Sequence, residues 1–264
     1  LKEVSMALET EMPLSFAHLV YEVVGPAAVI CVNRPAYRNA WSVAVLQEIV
    51  RAIRLANDDE RVHAIVLTAE GDVYSAGADL KTSRTTDASG ARAANIGAYV
   101  MGQGDNNWLR LLTESKPTIV AVNGPAIGLG VTHILAADVR IASQAATFRF
   151  PFVRLGAMPE CGSTALLGRL IGFGRAVEIC LRAREIDAEE ALRIGLVTSL
   201  HPPHLLREAA LAIAHDIAEA PPLQVKLTKQ MLWEHARIFD PDEIMRSESK
   251  VFVGMLRASG RGKP

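Results

Sequence analysis

The sequence predicts an α/β fold in which helices cross over between parallel strands, and three observations support this prediction. Two β-branched apolar runs, residues 62–68 and 118–122, have the length and composition of buried strands. Each run is followed by a glycine-rich turn that leads toward a helix. A segment with helical spacing of apolar residues lies between another strand candidate, residues 28–32, and the run 62–68. Strand, helix and strand in this order are typical of a sheet joined by crossover helices.

Local signals justify the first elements. The run 28–32 indicates a short strand that ends at Asn33-Arg34-Pro35. Ser42 is a suitable N-cap for a helix, because its hydroxyl can accept a hydrogen bond from a free amide of the first turn. The apolar residues that follow it recur at helical spacing: Val45, Leu46, Ile49, Val50 and Ile53. The polar run Asn57-Asp58-Asp59 ends this helix, and the strand at 62–68 follows.

The later part of the chain is predicted to be mostly helical. A helix that includes Trp108 stops near Lys116-Pro117, because the residue before a proline disfavours helical backbone. From Ala176 onward helical segments dominate. Amphipathic helices are predicted at 225–236 and 241–259, where apolar residues form a stripe on one face.

Composition and charge narrow the classes of function. The chain has 264 residues, of which 50% are hydrophobic and 22% are charged, as in an ordinary globular protein. Its formal net charge is −1, so no basic surplus indicates a nucleic-acid or membrane partner. No run is apolar for long enough to span a bilayer. The three cysteines and seven histidines form no metal-binding or disulfide pattern, so we expect no metal and a reducing, cytoplasmic location.

Two glycine-rich turns are the most informative part of the chain. The first is Tyr74-Ser75-Ala76-Gly77-Ala78-Asp79-Leu80-Lys81, and the second is Gly124-Pro125-Ala126-Ile127-Gly128-Leu129-Gly130. A turn that opens into a helix leaves amides without intrahelical acceptors and adds partial positive charge. Two such turns together can direct two N–H groups at one oxygen, which is the geometry that holds a thioester carbonyl as it becomes an enolate.

The two turns resemble those of the crotonase superfamily, the enoyl-CoA hydratases and isomerases. The resemblance runs from residue 20 to residue 229 in the order and spacing of the family. Further segments carry it: Val32-Asn33-Arg34-Pro35 with Asn39-Ala40, residues 136–142, residues 188–191 and Gly195-Leu196-Val197. The resemblance implies a spiral of ββα repeats in residues 17–200, preceded by an N-terminal arm, residues 1–16. It also implies a C-terminal helical region, residues 201–264, that packs subunits into a homotrimer or a dimer of trimers.

The same resemblance assigns a site for an acyl-CoA thioester, which would be the substrate, with no separate cofactor. It places the two oxyanion donors at the amides of Ala78 and Leu129. The CoA moiety would contact residues around the first turn: Arg34, Ala76, Asp79, Leu80 and Lys81. Lys81 and Arg34 are candidates for phosphate contacts because cationic side chains bind phosphate well, although a solvated surface charge is an alternative for both.

The candidate base distinguishes among the reactions of the family. Hydratases of the family use two glutamates, and the matching positions here hold Thr132 and Phe152, neither of which is a carboxylate. Glu160 instead matches the catalytic glutamate of the 3-enoyl-CoA to 2-enoyl-CoA isomerases. We therefore predict an isomerase of fatty-acid metabolism in which Glu160 carries a proton from C2 to C4. Apolar neighbours in the sequence are expected to raise the pKa of Glu160: Phe152, Leu155 and Met158.

Several alternatives stay open at this point. Glu160 is also compatible with a solvent-facing residue at a helix N-terminus. The same scaffold supports hydration or thioester hydrolysis with Glu160 orienting a water, and a non-catalytic acyl-CoA-binding protein is a further alternative. We interpret Cys161 as a packing residue and His133 as a core histidine rather than a general base. Residues 82–97, rich in Thr, Ser, Ala and Gly, are either a lid over the site or a plain insertion.

Overall fold

The computed structural model of the chain describes residues 15–79 and 107–258. Leu80 and Lys81, two of the predicted CoA contacts, lie outside the described residues, as does the segment 82–97. Residues 1–14 of the predicted arm and residues 259–264 lie outside them as well.

The strands of the described residues form two sheets. In chain order they are β1 (Leu19–Val24), β2 (Ala27–Val32), β3 (Ala64–Ala69), β4 (Thr118–Val122), β5 (Ala126–Ile127), β6 (Val139–Ser143), β7 (Thr147–Arg149), β8 (Glu185–Asp187) and β9 (Ser199–His201). The main sheet has the order β1-β2-β3-β4-β6-β9, and the smaller sheet has the order β5-β7-β8. In the main sheet β1 and β2 form an antiparallel hairpin, and the remaining pairings from β2 to β9 are parallel.

Helices alternate with these strands along the described residues. They are α1 (Val43–Asp58), α2 (Trp108–Glu114), α3 (Leu129–Thr132), α4 (Ser163–Ile171), α5 (Phe173–Arg182), α6 (Ala188–Ile194), α7 (Leu206–Ala218), α8 (Pro222–His235) and α9 (Pro241–Ala258). Short 3₁₀ turns lie at Pro35–Tyr37, His133–Ala136, Phe152–Leu155 and Pro203–Leu205. Within the described residues, none of the helices combines the length and the apolar character that crossing a bilayer requires.

Successive turns of the chain place one strand in the main sheet, then a short extended segment beside it, and then a helix. Trp41 forms a parallel bridge with Ala78, and Ser75 forms one with Ala126, the first residue of β5. These bridges join the segments that follow β2, β3 and β4, and the pairing of β5 with β7 continues the ladder. This order is the ββα spiral that the resemblance implies.

The main sheet is covered on both faces, which explains why its central strands have uninterrupted apolar sequences. All residues of β2 and β4 are buried, as is typical of parallel strands between two helical layers. One face packs against α1 and the other packs against α7. Ser42 caps α1 as predicted, because its hydroxyl accepts a hydrogen bond from the N–H of Val45 at 3.3 Å.

Most of the predicted elements are confirmed, and most of the differences concern short strands. The predicted strands correspond to β2, β3 and β4, and the predicted helices correspond to α1, α2, α8 and α9. The sequence does not predict β5, β7, β8 and β9, because two or three residues carry no periodicity and their pairing partners are distant in the chain. The helical region begins at Ser163 rather than near Ala176, and β8 and β9 interrupt it.

One buried ion pair attaches helix α8 to the sheet. Lys229 Nζ lies 2.7 Å from Asp138 Oδ2 and donates to the carbonyl oxygen of Leu112 at 2.7 Å. Asp138 also accepts from the N–H of Thr118 at 2.7 Å and from the indole N–H of Trp233 at 3.0 Å. Burial lowers the pKa of Lys229 and the Asp138 carboxylate opposes that shift. The pair therefore connects α8 with α2 and with the start of β4.

Lys229→Met should lower the free energy of unfolding by about 3 kcal/mol, the lower end for a buried pair, because it removes the cation from the Asp138 carboxylate, which is 20% exposed. Urea denaturation followed by circular dichroism measures this change. Lys226→Met is the matched control, since Lys226 lies one turn earlier in α8 and is exposed. This control should change the free energy of unfolding by less than about 0.5 kcal/mol, and equal effects of the two substitutions would contradict the role of the ion pair.

Candidate active site

The two glycine-rich turns lie against each other, backbone to backbone. A Cβ atom on Gly130 would lie 2.6 Å from the carbonyl oxygen of Ser75, and one on Gly77 would lie 2.6 Å from that of Ile127. Ser75 donates its N–H to the carbonyl of Pro125 at 3.1 Å and accepts from the N–H of Ile127 at 2.9 Å. Both glycines are therefore required for the turns to make these bonds.

The amides of Ala78 and Leu129 face the gap between the two turns. Trp41 donates its N–H to Gly77 O and accepts from the N–H of Asp79, both at 2.8 Å. Because this parallel bridge occupies one edge of the segment, the N–H of Ala78 points to the opposite edge, toward the second turn. Leu129 is the first residue of α3, so its N–H has no acceptor within that helix. A Cβ on Gly77 would lie 3.4 Å from the Leu129 nitrogen, so the structure brings the two predicted oxyanion donors together.

Asn39 orders the first turn through its side chain. It is fully buried, accepts from the N–H of Arg34 at 2.8 Å, and donates to the carbonyls of Glu70 at 2.8 Å and Val73 at 2.7 Å. Its own carbonyl accepts from the Ser75 hydroxyl at 2.9 Å. Asn39 belongs to one of the sequence segments that carry the family resemblance, but the sequence alone gives it no role. The available signal is the residue type, since asparagine tolerates the left-handed backbone found here, with a φ of 50°.

Three of the predicted CoA contacts surround the first turn. Arg34 Nη2 lies 3.6 Å from Asp79 Oδ2, and Nη1 donates to the carbonyl of Ala40 at 2.6 Å. The guanidinium also lies 4.6 Å from the ring centroid of the exposed Tyr37. Ala76 is half-buried in the turn itself. Since only 12% of the Arg34 side chain is exposed, a phosphate would meet the edge of this guanidinium rather than a free, extended side chain.

Glu160 lies against the second turn. Thr132 Oγ1 donates to Glu160 Oε1 at 3.0 Å, and Thr132 is the last residue of α3, which begins at Leu129. The carboxylate is therefore one helical turn from the second amide. Glu160 is half-buried, which does not match the alternative of a solvent-facing residue at a helix N-terminus.

The surroundings of Glu160 raise its pKa, as predicted. Burial raises the pKa above its ordinary value, and the hydrogen bond from Thr132 opposes that shift. Phe152 is buried as expected, whereas Leu155 and Met158 are 65% and 70% exposed within the chain. That the side chains of Leu155 and Met158 contribute to the apolar surroundings of Glu160 stays a prediction. A half-buried carboxylate with a raised pKa is suited to accept a proton near neutral pH.

Two consecutive left-handed residues connect Glu160 to α4. The φ angles are 56° at Cys161 and 73° at Gly162, and the left-handed conformation costs a non-glycine residue about 1 kcal/mol or more. Cys161 is buried, so packing holds it in place. Burial and the neighbouring Glu160 carboxylate raise the pKa of its thiol. The thiol therefore stays protonated, which agrees with the interpretation of Cys161 as a packing residue.

His133 is a core residue, as predicted. Its ring is fully buried, lies 4.2 Å from the ring of Trp41, and lies 5.5 Å from those of Tyr74 and Trp108. Burial lowers the pKa of His133 to about 3. The imidazole is therefore neutral at physiological pH and contributes packing to the wall behind α3.

Comparisons with known proteins identify the family and the fold of this chain. The model of the enoyl-CoA hydratase/isomerase family matches residues 25–259. Over 236 residues the chain is 36% identical to a short-chain-enoyl-CoA hydratase of Clostridium acetobutylicum, covering 89% of this chain and 88% of that protein. It is 33% identical to enoyl-CoA delta isomerase 2 of Rattus norvegicus, covering 79% of this chain and 52% of that protein. A solved enoyl-CoA hydratase from Bacillus anthracis superimposes with a TM-score of 0.82 at 30% identity, covering 91% of each chain.

Acidification should destabilise the protein through His133. Unfolded histidine binds a proton near pH 6.5, whereas folded His133 does so only near pH 3. Between these values the unfolded state holds more protons, so stability falls as the pH falls, by at most about 1.4 kcal/mol per pH unit. Thermal unfolding of the wild type and of His133→Leu between pH 4 and pH 8 should show that the variant loses less stability as the pH falls. His204→Leu, at an exposed position, should keep the wild-type dependence, and a parallel dependence in all three proteins would contradict this prediction.

Proposed function

The chain belongs to the enoyl-CoA hydratase/isomerase family and has the crotonase fold, and from that premise we propose that this acyl-CoA enzyme converts a 3-enoyl-CoA to a 2-enoyl-CoA. The choice of isomerisation among the reactions of the family rests on one observation. Glu160 places a carboxylate against the turn that holds the Leu129 amide. The positions that match the two hydratase glutamates hold Thr132 and Phe152 instead, and both side chains are buried.

The proposed reaction requires one base that acts twice. Ionised Glu160 takes a proton from C2 of the 3-enoyl thioester, and the electron pair of that C–H bond moves into the thioester to form a dienolate. The N–H groups of Ala78 and Leu129 donate to the dienolate oxygen. Protonated Glu160 then gives the proton to C4, which restores its carboxylate and leaves the double bond between C2 and C3. Only a proton is exchanged, so the reaction consumes no water and no co-reactant.

The two main-chain amides supply the electrostatic part of the catalysis. Hydrogen-bond donors that are already aimed at the developing oxyanion do not reorganise during the reaction, and losing one such donor costs about 3–4 kcal/mol in known cases. Here the donors belong to turns that glycine contacts hold together. A side chain at position 77 or 130 would therefore weaken catalysis without touching the substrate.

Hydration is the second candidate reaction, because several relatives carry hydratase names. In that reaction Glu160 would orient a water for attack at C3 of a 2-enoyl-CoA. A hydratase mechanism with a pair of carboxylates would need a second one, and neither Thr132 nor Phe152 provides it. This difference favours isomerisation. The non-catalytic acyl-CoA-binding alternative has no comparable observation behind it.

The CoA moiety is proposed to lie along the first turn. Its contacts would be the residues that the family pattern assigns: Arg34, Ala76, Asp79, Leu80 and Lys81. The ion pair between Arg34 and Asp79 supports this placement, since Asp79 directly follows Ala78 in the chain. The phosphates would meet Arg34 and Lys81, and the thioester would reach the gap between the two turns.

We also propose that the chain assembles as a homotrimer or a dimer of trimers. The C-terminal helices α8 and α9 and the loop between them expose large apolar side chains in the single chain, and exposed apolar surface is typical of an interface. These residues are Leu223, Leu232, Phe239, Met245, Phe252 and Val253.

Glu160→Gln should abolish conversion of 3-hexenoyl-CoA to 2-hexenoyl-CoA, with a loss of at least about 10²–10⁴-fold in kcat, because the amide cannot accept the C2 proton. The absorbance of the conjugated product measures the rate. Glu189→Gln, at an exposed position in the first turn of α6, should keep full activity. Calorimetry of acyl-CoA binding and circular dichroism show whether the Glu160 variant stays folded and binds substrate.

Other outcomes of this assay would overturn the proposal. Unchanged isomerisation by Glu160→Gln would remove Glu160 from the mechanism. A wild-type enzyme that hydrates crotonyl-CoA but does not isomerise 3-hexenoyl-CoA would be a hydratase. Tight acyl-CoA binding without turnover of either substrate would identify a non-catalytic binding protein.

Light scattering coupled to size-exclusion chromatography should give a mass of three or six chains for the wild type. Leu232→Asp with Phe252→Asp should shift the protein toward monomer, because both side chains are mostly exposed in the single chain and their charged replacements would be buried in an interface. The midpoint of urea unfolding of the variant checks that the chain still folds. A monomeric wild type at micromolar concentration would contradict the proposed assembly.

A further inference from the structure

We propose that Thr132 is a positioning residue that holds one oxygen of the Glu160 carboxylate, so that the other oxygen alone carries the proton. This inference rests on the proposed function, because it assigns a role within the same proton transfer. The hydroxyl of Thr132 lies 3.0 Å from Glu160 Oε1. Oε1 is thereby occupied, which leaves the proton transfer to Oε2.

The surroundings of the hydroxyl support this assignment. Thr132 is fully buried, so its hydroxyl has no access to bulk water and must bond within the protein. Two further acceptors lie near it, the carbonyl oxygens of Gly128 at 3.3 Å and Leu129 at 3.4 Å. A hydroxyl has one proton to donate. The carboxylate is both the nearest acceptor and the charged one, so it takes that proton while Glu160 is ionised.

Thr132 also ties the base to the oxyanion donor. Its own N–H donates to the carbonyl of Gly128 at 3.0 Å, as does the N–H of Val131, which makes α3 one rigid turn. The Leu129 amide lies at the start of this turn and the Thr132 hydroxyl lies at its end. The distance between the proton-accepting carboxylate and the amide that stabilises the dienolate is therefore set by one helical turn.

The other side of Glu160 is fixed by its loop. The carbonyl of Glu160 accepts from the N–H of Ser163 at 3.0 Å, and the left-handed residues Cys161 and Gly162 set the direction in which the loop enters α4. Among the described residues, the titratable group that interacts electrostatically with the carboxylate is the Cys161 thiol, which burial keeps protonated. With a neutral thiol beside it, the ionised carboxylate is stabilised by the Thr132 hydroxyl and by the N–H of Glu160 itself.

The residue at position 132 also accounts for a site with one carboxylate base rather than two. A glutamate at position 132 would put a second carboxylate beside Glu160, and like charges at that distance disfavour ionisation of both. Threonine supplies a donor in place of a second charge. Position 132 therefore determines whether the site holds a lone carboxylate base or a pair of carboxylates.

The pH dependence of isomerisation tests this inference with Thr132→Val, Thr132→Ser and, as a control, Thr68→Val. Without the hydroxyl, the ionised form of Glu160 loses a donor, so its pKa should rise and the acid limb of kcat/KM for 3-hexenoyl-CoA should move to higher pH. We expect kcat at neutral pH to fall by about 10- to 100-fold, with KM within about twofold, because substrate contacts are unchanged. Thr132→Ser keeps the hydroxyl and should restore both the rate and the profile.

Thr68→Val is the matched control because Thr68 also donates its hydroxyl to a buried partner, the carbonyl of Ala121 at 2.9 Å, but lies in β3. Thr68→Val should lower the free energy of unfolding without moving the acid limb of the pH profile of kcat/KM. If Thr132→Val fails to fold, Thr132→Ala and Thr132→Ser carry the same comparison, since both lack the methyl group and differ in the hydroxyl.

The outcomes separate this inference from the function on which it rests. An unchanged acid limb in Thr132→Val or Thr132→Ala, together with an inactive Glu160→Gln, would overturn the role of Thr132 and leave the isomerase mechanism intact. A fall in kcat that Thr132→Ser does not restore would likewise reduce Thr132 to a structural residue. Active Glu160→Gln would instead overturn the proposed function itself.

Discussion

The close contact between the two glycine-rich turns is the constraint on which the site depends. Gly77 and Gly130 each occupy a position where a Cβ atom would overlap the backbone of the facing turn, and a Cβ atom on Gly124 would overlap the backbone of Asp72, just before the first turn. The turns follow β3 and β4, which are adjacent parallel strands, so the sheet brings them near each other and the glycines permit the final contact. Two amides can act on one oxygen only at such a short separation, so the spacing of the site is decided by main-chain packing.

The candidate active site and the ion pair that anchors helix α8 lie at opposite ends of the main sheet. The two turns lie beyond the carboxyl ends of β3 and β4, which is where parallel sheets commonly place binding sites. The ion pair between Lys229 and Asp138 lies at the amino ends, beside Thr118, the first residue of β4. The anchor of helix α8 is therefore separated from the gap between the two turns by the length of the sheet.

Among the described residues, two polar side chains of the site have defined hydrogen-bond partners. Asn39 holds the first turn through three hydrogen bonds, and Thr132 holds Glu160 beside the second. Around them lie apolar and aromatic residues, including the neutral His133. Such surroundings raise the pKa of Glu160 and strengthen the effect of hydrogen-bond donors on nearby charge, which suits the proposed proton transfer.

The sequence by itself determined the α/β class, the buried strands β2 to β4, the capped helix α1 and the two turns, because periodicity, capping and glycine placement are local signals. It also singled out Glu160, through a resemblance to known isomerases. Only the tertiary structure decided that Thr132 contacts Glu160, that Asn39 holds the first turn, and that Leu155 and Met158 are exposed within the chain. The short strands β5, β7, β8 and β9 were likewise decided by pairing between distant segments. These features depend on which residues meet across the fold, and no periodicity within one segment encodes such a meeting.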